Sequence, residues 1–210
     1  MHTYSTDNDL RVKIVGFLGI GSYVFVQALV NVISSLNATL PYGIDVSVPA
    51  TGSVFTIVYL LFSSVLWNHW VFRRLRIVKT PYLSGKWVGS LQSSYDNEDN
   101  SDENNGPNVE VLIRQNWRKI SIELNAPDSS SRSLGATVLT KEGKPELTYH
   151  YRSEPDYDAP DTMSIHYGTT SLTFHEGEGE DGTDVLDGVY YTSPRRDSHG
   201  SVHLSRVNED

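Results

Sequence analysis

Residues 118–125 read RKISIELN, and every second side chain is apolar. Ile120, Ile122 and Leu124 fall on one face of an extended chain, with Lys119, Ser121 and Glu123 on the other. Successive residues of a strand point to opposite sides, so this period of two predicts a strand with one buried face. The same reading extends outward in both directions. GKWVGSLQSS, VEVLIRQ, RSLGATVLT, ELTYHYRS, TSLTFH, VLDGVYYT and GSVHLSRV are short, β-favouring and bounded by Gly, Pro, Asn, Asp or Ser. EGKP at 142–145 and DSHG at 197–200 carry tight-turn chemistry. Eight such segments between residues 80 and 210, with no helix-length stretch among them, predict a small eight-stranded antiparallel β-barrel. Closure leaves no exposed sheet edge.

Ahead of Pro81 the pattern is different. Residues 14–36 (IVGFLGIGSYVFVQALVNVISSL) and 53–72 (SVFTIVYLLFSSVLWNHWVF) contain no Asp, Glu, Lys or Arg. As helices they would span roughly 34 Å and roughly 30 Å at about 1.5 Å per residue. A bilayer's hydrocarbon core is about 30 Å thick. Both runs are apolar nearly all round, without the polar stripe of a soluble hairpin. The first is longer than the apolar core of a signal peptide, and no clear cleavage site follows it. The expected organisation is therefore a membrane-anchored all-β protein. Residues 1–79 form a tail and a two-helix transmembrane hairpin, and residues 80–210 a cytosolic barrel. Arg11 and Lys13 precede the first span, Arg73, Arg74, Arg76 and Lys79 follow the second, and the connection between them has only Asp45. The positive-inside rule then places both termini in the cytoplasm. Gln27 and Asn31, four residues apart, share a helix face in the first span. Amides in hydrocarbon take partners, either in the second span or in another copy of the chain.

The formal net charge of −9 conceals this division. Residues 1–79 hold six basic and three acidic residues, whereas residues 80–210 hold eleven and twenty-three. An acidic barrel argues against duplex nucleic acid as a partner, since that binding rests on neutralising phosphates. Without cysteine there is no disulfide framework, thiolate metal site or Cys nucleophile. The acidic stretches 94–108 and 176–184 lack the calcium-loop spacing; counted from Asp96, the sixth position is Ser101 where Gly is needed. No hydrolase, metalloprotease, Walker or Rossmann motif occurs. The expectation is a protein without metal or cofactor that is not an enzyme.

Candidate ligand-binding residues come from three places. Gly85-Lys86-Trp87 opens the first predicted strand and Arg206 sits in the last, neighbours in a closed barrel. Trp87 either stacks under Arg206 as a closure device or stacks on a ligand. Segments 166–170 (HYGTT) and 186–192 (LDGVYYT) mix aromatics, hydroxyls and glycine, which suits stacking a planar base and bonding its edge. Arg114, Arg118, Arg152, Arg195 and Arg196 stand in an acidic domain, either as surface ion pairs or as phosphate ligands. The candidate set is Trp87, Arg114, Tyr151, Arg152, His166, Thr169, Tyr190 and Arg195.

Two spans, a basic junction, then LSGKWVGSL, HYGTTSL, LDGVYYT and GSVHLSRV in that order resemble a known family. It is the two-transmembrane β-barrel effectors of CBASS, the bacterial cyclic-oligonucleotide-based anti-phage signalling systems. The resemblance runs from about residue 10 to 207 and lies in the whole arrangement. It implies that the barrel binds a cyclic dinucleotide made by a partner nucleotidyltransferase. Binding would drive self-association, and the spans would disrupt the inner membrane and stop growth of the infected cell. The family motifs fall on Trp87, His166, Gly168, Gly188 and Tyr190. The G-x-W opening with a last-strand Arg is also similar to lipocalin-type barrels. A tethered barrel holding a lipid or other apolar ligand, or a non-catalytic adaptor, are the alternatives.

Overall fold

The computed structural model describes residues 1–7, 10–38, 47–74, 77–93, 108–140, 143–160, 163–193 and 198–207. The chain divides into two units, Met1–Asn8 with Thr80–Asp210, and Asp9–Lys79.

The first unit is a closed barrel of nine strands: β1 (His2–Thr6), β2 (Gly85–Ser93), β3 (Asn108–Gln115), β4 (Lys119–Ala126), β5 (Ser129–Leu139), β6 (Glu146–Pro155), β7 (His166–His175), β8 (Val185–Thr192) and β9 (His199–Arg206). Around the barrel they run β1-β4-β3-β2-β9-β8-β7-β6-β5. The eight strands read from residues 80–210 are β2–β9. The expected count of eight is corrected to nine by β1, which pairs in parallel with β5. Residues HTYST show no period of two, since Tyr4 is their one apolar side chain. They become a strand because a gap elsewhere in the sheet needs one. β4 and β5 pair directly only from Glu123 opposite Arg132 to Ala126 opposite Ser129. A bulge between Ser133 and Gly135 then turns β5 away. β1 fills the gap, with His2 and Thr3 against Ile120 and Lys119, and Tyr4–Thr6 against Ala136–Val138.

One end of the barrel is apolar and shut. Leu83, Trp87, Ile120, Leu147, Leu186 and Leu204 are almost wholly buried there and in the adjoining core. The Trp87 indole N–H donates to the Leu83 carbonyl at 3.0 Å. The Arg206 guanidinium lies 4.4 Å from the Trp87 ring centroid, as the closure reading expects. Its Nε donates to Asp184 Oδ2 at 3.0 Å, and its other nitrogens donate to the carbonyls of Tyr82, at 2.6 Å, and Ser84. The Gln115 side chain accepts the Leu83 N–H at 2.7 Å and donates to the Pro81 carbonyl at 3.2 Å. Buried polar groups are thereby paired where the strap 81–84 crosses the base.

In the second unit α1 (Leu10–Asn37) has 28 residues, and its Arg11–Asn37 stretch is long and apolar enough to cross a bilayer by length and composition. The second expected span, 53–72, is not one helix. α2 covers Thr51–Ser64, a 3-10 turn follows at Leu66–Asn68, and α3 covers Trp70–Arg74. Fourteen residues rise about 21 Å, short of a core about 30 Å thick. Val65 leaves the helix at φ −127° and His69 is extended at φ −64°, ψ 139°. Phe72 meets Phe62 edge-on with ring centroids 5.5 Å apart, whereas ten helical residues would rise about 15 Å. The chain therefore folds back. The Ser63 hydroxyl, bonded to the Leu60 carbonyl at 3.1 Å, offers the backbone an alternative to the helical ladder at this point.

Candidate ligand-binding site

Strand register divides the barrel interior into two ends. Opposite the Trp87 end, where β2, β4, β6 and β8 finish, the inward positions are rich in phenols, hydroxyls, imidazole and glycine. Tyr149 on β6 faces Thr170 on β7, which faces Tyr190 on β8, which faces Gly200 on β9. One step further out, Ser133, Tyr151, Gly168 and Thr192 form the next row. Ser131, Ser153 and His166 form the outermost.

Large residues sit over small ones. A Cβ at Gly168 would run into the Tyr151 phenol and the Tyr191 carbonyl, and one at Gly200 would meet the Tyr190 ring and the Gln92 carbonyl. Glycine is what lets both tyrosines lie across the interior. The Tyr149 and Tyr151 rings are 6.2 Å apart and tilted, and Tyr151 stands edge-on to His166 at 6.3 Å. His166 Nδ1 donates to the Ser164 carbonyl at 3.1 Å, which sets the ring's orientation. The Thr192 hydroxyl accepts the Ser198 N–H and donates to its carbonyl, both at 2.9 Å, pinning the two ends of the β8–β9 connection. Tyr149, Tyr151, Ser153, Thr170 and Tyr190 are all buried. Burial pushes the Tyr149 phenol above its ordinary pKa, and a hydrogen bond with Thr170 opposes this. The phenol is thus neutral at physiological pH. Such a surface can stack planar rings and bond their edges. Among the described residues no cluster of three His, Asp or Glu side chains is arranged to hold a metal ion.

A family model described as Cap15, cyclic dinucleotide receptor domain, matches residues 78–206. The match takes in β2–β9 whole and more than half of the chain. The chain belongs to the Cap15 family. Similar curated proteins agree. CD-NTase-associated protein 15 of Yersinia aleksiciae is 24% identical over 94% of this chain and 92% of its own length. The protein of that name from Staphylococcus schleiferi is 26% identical over 75% of this chain and 77% of its own. The resemblance to CBASS effectors is thereby established at the level of the family, and the barrel is its cyclic dinucleotide receptor domain.

Within this Cap15 barrel the predicted residues separate. Tyr151, His166 and Tyr190 come together at the polar end. Trp87 lies at the opposite end, fully buried in the closure. Arg114, Arg152 and Thr169 point outward: Arg114 pairs with Glu123 at 3.3 Å, Arg152 with Glu154 at 3.2 Å, and the Thr169 hydroxyl lies 2.9 Å from His150 Nδ1. The reason is parity. Tyr151 and Arg152 are consecutive on one strand, and His166 and Thr169 are three apart, so neither pair can share a face. Arg195 and most of the acidic stretch 94–108 lie outside the described residues. Gln27 and Asn31 are both exposed on α1. Tyr149, Ser133 and Ser153 were not singled out by sequence, and Thr170 and Thr192 lay within the quoted segments but outside the candidate set. Steps of two from Tyr151 and His166 would have reached Tyr149, Ser153 and Thr170. Of the family-motif residues, Gly188 packs rather than lines the polar end, because a Cβ there would run into the Ser171 carbonyl of the neighbouring strand.

Proposed function

We propose that this Cap15-family protein is a non-enzymatic CBASS effector that takes a cyclic dinucleotide into the polar end of its barrel. What supports the reading is the coincidence of the receptor-domain match with an interior end built from aromatics and hydroxyls. Tyr151, Tyr190 and His166 offer faces and edges to the two bases, at roughly 1–3 kcal/mol per stacked base. The hydroxyls of Ser153 and Thr170 bond base edges or phosphate oxygens. Arg195 and Arg196, which follow Thr192 closely in sequence, are the cations this reading assigns to the phosphates. At the Trp87 end, the most apolar part of the interior, packed side chains leave an apolar ligand no place.

The finer parts of the reading concern the membrane. α1 crosses the inner membrane and the apolar run 53–72 brings the chain back, so that both termini are cytoplasmic and residues 2–6 can share a barrel with residues 85–206. Ligand drives association of copies, with the exposed amides of Gln27 and Asn31 as contacts between helices, and the assembled helices disrupt the bilayer. A partner nucleotidyltransferase supplies the ligand. The test is thermal shift and sizing of the full chain in detergent against a panel of cyclic di- and trinucleotides. Residues 80–210 alone would lack β1. A ligand at about a hundred times its Kd stabilises by about 2.7 kcal/mol, an upward shift of several degrees. A well-folded protein that no member of the panel stabilises would overturn the proposal. Replacing Tyr151 and Tyr190 together by Ala is expected to abolish the shift.

A further inference from the structure

We infer that β1 is the strand through which occupancy of the barrel interior reaches α1, by loosening from its seam when ligand fills the polar end. The inference rests on the ligand reading above. β1 is the most lightly held strand, with two register positions against β4 and three against β5. β4 and β5 keep their own pairing from Glu123 to Ala126, so the barrel stays closed at the polar end without β1. Where the three strands part sits Ser133, buried on the interior face. Its hydroxyl accepts the Ile122 N–H at 2.9 Å and lies 2.8 Å from His2 Nε2. Ser133 is the cross-strand partner of Tyr151, which stands against His166. At its other end β1 stops at Thr6, and α1 begins at Leu10. Between them the Asp7 carboxylate accepts the Thr140 N–H at 3.0 Å and its hydroxyl at 3.1 Å.

These contacts make a relay with a physical trigger. The buried rings of Tyr151 and Tyr190 must shift to admit bases, and Ser133 lies beside the first of them. A serine hydroxyl has one proton to give. A ligand oxygen that claims it competes with His2, so ligand binds better to the barrel in which β1 has let go, and shifts the population toward that state. Only three residues join the strand to α1, so release of β1 reaches the helix along the chain itself.

The chain has no cysteine, which makes a cross-link the natural test. The hydroxyls of Ser5 and Thr137 are 2.7 Å apart on the outer face, and a Ser5→Cys/Thr137→Cys pair suits a disulfide there. The full chain in detergent is titrated with 3′,3′-cyclic di-AMP, di-GMP and the mixed dinucleotide. Coupling is reciprocal, so the oxidised variant is expected to bind at least about five-fold more weakly than the same protein after reduction. In the unmodified chain, amides of residues 2–6 are expected to exchange about tenfold faster with ligand while β7 and β8 become protected. His2→Ala gives the converse, a tighter apparent Kd. Equal affinity of the oxidised and reduced forms, weaker binding by His2→Ala, or unchanged β1 protection overturns the relay and leaves the ligand reading standing. An unmodified chain that binds none of the three probes, nor any other member of the panel above, removes both.

Discussion

Arg206 holds the shut end of the barrel through several partners at once. It stacks on Trp87, pairs with Asp184 and caps the carbonyls of Tyr82 and Ser84. Both members of the ion pair are largely screened from solvent, with side chains 15% and 24% exposed. Truncation strands a carboxylate and two carbonyls, so Arg206→Ala is expected to cost about 3–5 kcal/mol, measured as a fall in the urea midpoint. Arg206→Lys should recover only part of that, because an ammonium lacks the planar fork. Gly188→Ala forces β8 away from the Ser171 carbonyl and is expected to cost about 1–3 kcal/mol; unchanged denaturation would mean that the strand crossing yields easily. Tyr149 makes a pH prediction. Its folded-state pKa is raised by burial, so the folded protein keeps the phenolic proton where the unfolded chain, near pH 10, gives it up. The contribution is whole below about pH 10 and fades as pH climbs toward the folded value. Alkaline unfolding followed by circular dichroism should therefore steepen above that point, and Tyr149→Phe should blunt it.

Among the elements, β1 and the second apolar run depart furthest from their sequence. Tyr4 is 4% exposed, though it belongs to a five-residue strand of otherwise polar composition. Tyr4→Ala is expected to cost about 3–5 kcal/mol, as large as a central core truncation. A protein of residues 80–210 should likewise unfold at lower urea than the full chain; equal midpoints would show that β1 adds nothing to the barrel. β2–β9 were legible because each carries its own alternation or turn chemistry. β1 was not, because the reason it is a strand lies in the divergence of β4 and β5, more than a hundred residues away. The run 53–72 misled in the opposite sense. Composition made it look continuous, but hydropathy does not register a backbone that leaves the helix at Val65 and folds back at His69.

For the whole molecule the outstanding physical question is charge. Residues 80–210 carry twenty-three acidic against eleven basic residues, and the proposed ligand is an anion. Long-range repulsion slows encounter and is screened over about 8 Å at physiological salt. The association rate for a cyclic dinucleotide is therefore expected to rise as salt goes from about 10 to about 150 mM, the reverse of steering by a basic surface. Stopped-flow rates that fall over that range would mean that a local basic field, rather than the net charge, governs encounter.

By itself the sequence determined a span-length first helix, a barrel beyond residue 80, the nearness of Trp87 and Arg206 at its ends, and the family to which they belong. These are encoded in periods, run lengths and neighbouring strand ends, which are local or nearly so. It also supplied the right residue types for the ligand end. Only the tertiary structure decided which of them face one another. It sent Arg114, Arg152 and Thr169 outward, brought in Tyr149, Ser153 and Thr170, and drew residues 2–6 into the wall. Facing is a matter of register and closure, and those are set by all nine strands together.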